Sequence, residues 1–173
     1  MKTQLILIRG NSGSGKTTIA KELQRRLGRG TLLVSQDVVR REMLRVHDQA
    51  GNLSIELIQQ IAAYGKGKVE FVIVEGILRT ETYREMLDQL MSYFDNEVLV
   101  YYFDLPFEET VKRHQMREIS GDFSAERMKK WWREKDYLHI SNETLFTLDM
   151  SQEELVEKIV VDIDKSRKNN KGG

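Results

Sequence analysis

"RGNSGSGKTT", residues 9–18, follows the apolar run "LILI" at residues 5–8 and is followed in turn by a stretch of helical period. Three glycines, a lysine and two threonines are packed into ten positions. Glycine lets the backbone curl so that consecutive N–H groups converge, and a helix that starts at the end of the curl adds its positive end to them. The spacing Gly10-x4-Gly15-Lys16-Thr17, set between a buried-type strand and an amphipathic helix, is that of a phosphate-binding loop. The expected binding residues are Gly10, Asn11, Ser12, Gly13, Ser14, Gly15, Lys16, Thr17 and Thr18. Lys16 is placed to reach the outer phosphates, and the Thr17 hydroxyl to ligate magnesium.

Working outward, short apolar runs alternate with longer stretches of helical period, the pattern of a parallel sheet wrapped by helices. The predicted strands are "QLILI", "TLLVS", "FVIVE", "EVLVYYF" and "TLFTL". Ile19, Ala20, Leu23 and Leu27 share one helical face, and Gly28 marks the stop. Leu57, Ile58 and Ile61 form a second stripe closed by "YGKGK". Tyr83, Met86, Leu87, Leu90, Met91 and Phe94 form a third, opened by Thr80. Ser151 and Glu154 make a capping box ahead of Leu155, Val156, Ile159 and Val160. The fold class is therefore α/β: a three-layer α/β/α sandwich around a five-stranded parallel sheet. Residues 1–164 are expected to form one domain, and 165–173 a flexible polar tail.

Composition narrows the partners. The 173 residues suffice for one compact core, and Lys plus Arg equals Asp plus Glu at 27 each, so no global charge excess points to nucleic acid or an anionic membrane. There is no cysteine, which removes disulfides and thiolate chemistry and fits a reducing compartment. His47, His114 and His139 are far apart in sequence, which argues against a histidine metal site. The apolar run near the N-terminus is too short for a signal-peptide core or a membrane span, and a cytoplasmic protein is expected.

Two carboxylates stand where ligands of an open parallel sheet collect, at the carboxyl ends of strands expected beside the first one. They are Asp37, just past "TLLVS", and Glu75, closing "FVIVE". Arg40 lies three residues after Asp37 on the same helical face. Such a pair suits phosphoryl transfer, the carboxylate taking a proton from an acceptor hydroxyl and the arginine holding the acceptor. Glu75 is placed to orient a metal-bound water or the acceptor. In "VKRHQMREISGDF", Arg113 and Arg117 are one turn apart within an expected lid at about 112–125, where they would neutralise charge on the transferred group. Met128, Trp131 and Trp132 follow at helical spacing, a pattern of core packing or of a stacking surface.

With these residues in view, the chain resembles the small P-loop kinases that phosphorylate hydroxyl groups: the chloramphenicol phosphotransferase and zeta-toxin group, the kinase half of polynucleotide kinase, and shikimate and gluconate kinases. The resemblance runs over residues 4–164 and is carried by "RGNSGSGKTT", by "SQD" with Asp37, by "ETVKRHQMR", and by the final strand with its capped helix. It implies a cytoplasmic ATP- and magnesium-dependent transferase with Asp37 as base, Thr17 and Asp37 at the metal, and Asp37, Arg40 and Glu75 at the acceptor. Lys16, Arg113 and Arg117 would stabilise the transferred charge, with Arg113 near the adenine and Arg117 nearer the phosphates. The implied partner is a small-molecule hydroxyl compound, the protein being a monomer or homodimer. Alternatives are a kinase of nucleic-acid 5′-hydroxyls, since "RREMLR" and "KRHQMR" are basic, and a uridine-type nucleoside kinase, which "VIVEG" also resembles. A GTP-dependent switch fits less well, because "DQAG" at 48–51 follows no buried strand and no N-K-x-D element occurs. A motor ATPase fits less well too, because no apolar run ends in Asp-Glu.

Overall fold

A computed structural model describes residues 2–116 and 125–169. Five strands, β1 (Gln4–Gly10), β2 (Leu32–Ser35), β3 (Phe71–Gly76), β4 (Val98–Phe103) and β5 (Glu143–Phe146), pair parallel in the order β2-β3-β1-β4-β5. Between and after them run α1 (Lys16–Leu27), α2 (Leu53–Gly65), α3 (Thr80–Tyr93), α4 (Phe107–Met116), α5 (Ala125–Trp131) and α6 (Gln152–Asn169).

Side chains that alternate along a strand face opposite sides of its sheet, and both sides here are apolar. Leu5, Leu7, Val72, Val74, Val98 and Val100 pack with Ile58, Leu87 and Leu90, which puts α2 and α3 on one face. Ile6, Ile8, Phe71, Ile73, Tyr101 and Phe103 pack with Ile19, Leu23, Leu155 and Ile159, which puts α1 and α6 on the other. The result is the three-layer α/β/α sandwich with its five-stranded parallel sheet.

Three details differ from the sequence expectation. Asp37 and Glu75 were both expected on strands beside β1, but only β3 pairs with β1 on that side, and β2 pairs with β3. The reason is burial: "FVIV" of β3 is buried on both faces, whereas Leu32 and Leu33 of β2 keep partial exposure, as an edge strand must. The last strand ends at Phe146 rather than running through Leu148, which is exposed. Helix α6 continues to Asn169, five residues past the point where a polar tail was expected. Its last turns are held to the amino-terminal ends of β1 and β3: the Gln4 amide donates to Ser166 Oγ at 3.0 Å, Arg167 pairs with Glu70 at 3.1 Å, and its guanidinium covers the Phe71 ring.

Candidate active site

The loop after β1 has the geometry its glycines predict. Gly10, Gly13 and Gly15 have φ of 146°, 78° and 100°, in or near conformations that L side chains rarely adopt. Two of these positions are also too close to neighbouring chain for a side chain: a Cβ on Gly10 would lie 2.8 Å from Phe103 Cβ, and one on Gly13 would lie 2.6 Å from the Thr110 carbonyl of α4. Helix α1 begins directly after Gly15 with no side-chain cap, so its first amides belong to the loop. Lys16 is buried, and its ammonium donates to the Asn11 carbonyl at 2.6 Å and to Ser14 Oγ at 3.2 Å.

The carboxylate in contact with this loop is Glu75. It is 2 % exposed, accepts from the Thr17 hydroxyl at 3.2 Å through either oxygen, and accepts from Ser35 Oγ at 2.5 Å. Strand register explains the meeting, since Glu75 is the partner of Ile8 on β1 and of Ser35 on β2. Asp37, expected with Thr17 at the metal, instead lies one strand farther out, at the head of a π-helical turn over Val38–Met43, and the carboxylate that meets Thr17 is Glu75. Its side chain is 61 % exposed and is held by Arg40 at 3.3 Å and Arg41 at 3.2 Å. Arg40 is anchored in turn, donating to the Val46 carbonyl at 3.2 Å. On the opposite side of the loop, Arg113 of α4 donates to the Ser14 carbonyl at 3.1 Å and to Glu109 at 2.8 Å. That ion pair holds the Glu109 carboxyl below its ordinary range. Arg117 lies outside the described residues.

Beneath the loop is a buried polar assembly that the sequence did not signal. Arg9 ends an apolar strand with its side chain 0 % exposed. It donates twice to the Leu78 carbonyl, at 3.2 and 3.0 Å, and pairs with Asp136 at 3.1 Å and Glu143 at 3.4 Å. Burial lowers the Arg9 pKa, and the two carboxylates oppose that shift. Asp136 also accepts from the Thr80 amide at 3.0 Å and from the Thr80 hydroxyl, so it caps α3, whose own preceding residue Arg79 makes no side-chain cap. Tyr102, close to both groups, is pushed up to about 12 by burial.

The wall facing α2 and α3 is equally fixed. Arg79 donates to the Asp48 carbonyl at 3.0 Å and pairs with its carboxylate at 3.4 Å, while the Tyr83 hydroxyl donates to the same carboxylate at 2.8 Å. Trp131 lies over the Arg79 guanidinium, 5.6 Å away, with 49 % of its surface exposed. Met128 is buried, and Trp132 packs edge-on against Phe107 at 5.7 Å. The aromatic spacing therefore divides between core packing and an open ring.

The structure thus brings Lys16, Thr17, Glu75, Ser35 and Arg113 around one loop, and sets Asp37 with Arg40 at the next strand end. The residues missed were Ser35, Arg9 and Asp136. Ser35 was legible in principle, as the last residue of "TLLVS" opposite Glu75; the other two depend on long-range pairing that carries no local signal.

A phosphate loop between β1 and α1 of a parallel five-stranded sandwich defines a P-loop nucleotide-binding protein with the small-kinase fold. A family model described as an AAA domain matches residues 5–139, and the chain belongs to that family. No curated protein matches it by sequence. Its structure is similar to that of a gluconokinase from Sinorhizobium meliloti 1021, at 14 % identity and TM-score 0.70 over 97 % of this chain and 95 % of that one. It is also similar to the Mycobacterium tuberculosis APS kinase CysC in complex with AMPPNP and APS, at 16 % identity and TM-score 0.67 over 94 % and 98 %. A third similar structure is a sugar kinase from Janibacter sp. HTCC2649, at 21 % identity and TM-score 0.64 over 94 % and 95 %. These likenesses show the fold. Among the described residues no helix is long and apolar enough to cross a membrane.

Proposed function

We propose that this protein is a magnesium-dependent kinase that moves the γ-phosphoryl group of ATP to a hydroxyl of a small molecule. The observation that carries the reading is the convergence of a buried lysine, a hydroxyl–carboxylate pair and an arginine on one glycine loop. Kinases among its structural neighbours, one of them holding AMPPNP, support it.

Phosphoryl transfer needs little covalent help from a protein and much positioning and charge stabilisation. The loop amides and the first turn of α1 hold the phosphates, and Lys16 exchanges its contacts within the loop for their oxygens. Thr17 and Glu75 offer a hydroxyl and a carboxylate side by side, the hard-oxygen donors that Mg2+ takes when phosphates and water supply the rest. The bound cation would offset negative charge on the phosphates. Arg113, braced by Glu109, adds positive charge from the α4 side, and Arg117 is assigned the same task. Asp37, exposed at the neighbouring strand end, takes the proton of the acceptor hydroxyl, and Arg40 beside it holds the acceptor. Each transfer breaks the bond between the γ-phosphorus and its bridging oxygen, forms the bond to the acceptor oxygen and leaves ADP.

Screening hydroxyl compounds for ADP release identifies the acceptor, and Asp37→Asn then tests the assigned base. The variant should bind ATP as the wild type does and lose transfer by about 10²-fold or more. Unchanged transfer would remove Asp37 from the mechanism. Binding of single-stranded oligonucleotides that weakens steeply with salt would instead favour the 5′-hydroxyl nucleic-acid reading.

A further inference from the structure

Asn11 joins two parts of the molecule that are far apart in sequence. Its main-chain carbonyl accepts the Lys16 ammonium at 2.6 Å. Its side-chain amide pairs with the backbone of Arg133: Asn11 Nδ2 donates to the Arg133 carbonyl at 2.6 Å, and the Arg133 amide donates to Asn11 Oδ1 at 2.9 Å. Both bonds of the amide are thus spent on one residue, in the manner of a strand pair, and Asn11 is only 5 % exposed. Arg133 lies two residues past α5, and three residues farther on Asp136 joins Arg9 to the first amide of α3. The segment from Arg133 to Asp136 is therefore tied at one end to the phosphate loop and at the other to Arg9 and the first turn of α3.

We propose that Asn11 is a positioning residue that couples phosphate occupancy of the loop to the placement of α5 and the segment behind it. The inference rests on the loop being a nucleotide site. A phosphate oxygen competes with the Asn11 carbonyl and with Ser14 Oγ for the Lys16 ammonium, and of these two acceptors Asn11 is the one that also holds Arg133. Because the same residue holds Arg133, a shift of its main chain moves the Arg133 backbone. That backbone adjoins Trp131 and Trp132, the two tryptophans of the chain, one over Arg79 and the other against Phe107. Their emission therefore reports the movement.

The test uses the full chain, AMPPNP with Mg2+, and three measurements: calorimetric affinity, tryptophan emission and hydrogen exchange resolved to the 131–137 segment. In the wild type, AMPPNP should change the emission and slow exchange across that segment. Asn11→Ser keeps the main-chain carbonyl and removes the amide pair. It should weaken AMPPNP binding by up to about tenfold, exchange the Arg133 amide about tenfold faster, and lose most of the emission change at saturating AMPPNP. Asn11→Ala removes the pair without leaving a buried hydroxyl and should behave as the serine variant does, which preserves the test if the serine variant folds poorly. A wild type that binds AMPPNP without an emission change overturns the coupling, and so does a serine variant that retains the full change. A wild type that does not bind AMPPNP at all overturns the kinase reading instead.

Discussion

Replacing Glu75 by Gln removes one charge and almost nothing else. The side chain is nearly isosteric, its remaining carbonyl oxygen still accepts from Ser35 Oγ, and the Thr17 hydroxyl accepts from the new amide where it had donated to the carboxylate. With neither hydroxyl left unsatisfied, folding stability should change by less than about 1 kcal/mol. Cation binding is a different matter. A unit charge about 4 Å from a divalent cation is worth about 8 kcal/mol at an effective dielectric of 20, and the phosphates' own charge together with the exposed position of Thr17 reduces this to about 2–4 kcal/mol. Converted to rate, that range is a loss of roughly 30- to 10³-fold in transfer at limiting Mg2+. Nucleotide affinity measured in EDTA should be unchanged or slightly improved, because a negative charge next to the phosphates has gone. The assay is initial velocity against Mg2+ concentration at saturating ATP, with an ADP-coupled readout and a thermal melt as control. A variant with the wild-type Mg2+ midpoint and wild-type maximal rate would refute the placement of the cation between Thr17 and Glu75.

Gly13→Ala should weaken AMPPNP binding by at least about tenfold in calorimetry: a positive φ of 78° costs about 1–2 kcal/mol for alanine, and the Thr110 carbonyl must yield, displacing α4 and with it Arg113. Arg9→Met should destabilise the fold by about 3–5 kcal/mol in urea titration, because Asp136 and Glu143 lose their buried countercharge. Alkaline pH should unfold the protein progressively. Burial raises Tyr101, Tyr102 and Tyr137 above the ordinary tyrosine value of 10, Tyr102 to about 12, so their contribution is complete below pH 10 and is lost as pH rises from 10 toward 12, where the unfolded chain ionises first. Chemical denaturation at pH 9 and pH 11 measures the difference, and equal stabilities at the two would contradict it.

The fold was legible because its signals are local. An apolar run, a glycine loop and a helical stripe each declare themselves within about ten residues, and the five strands and most helix starts follow from them. The phosphate loop was legible for the same reason. What could not be read was which strand lies next to which. "TLLVS" and "FVIVE" look alike as short apolar runs, and only packing against helices on both faces makes β3 central and β2 an edge. Arg9 was invisible for a related reason: a cation after four apolar residues reads as the end of a strand unless Asp136 and Glu143, more than a hundred residues later, are known to meet it.

That strand order also separates the two carboxylates chemically. Glu75, at the end of a central strand, is walled in by β1 and β2 and bonded to the hydroxyls of Ser35 on β2 and Thr17 on α1. Its geometry is over-determined, as the proposed role beside a cation would require. Asp37, at the end of an edge strand, is held among the described residues by two arginines on its own turn and opens to solvent. A base that meets an incoming hydroxyl needs that access, and it needs neighbours that can re-pair when the acceptor arrives. In the proposed mechanism the inner acid therefore serves the phosphates and the outer one the acceptor. The division predicts that Glu75→Gln and Asp37→Asn differ in kind: the first should shift the Mg2+ dependence, and the second should lower the rate at every Mg2+ concentration.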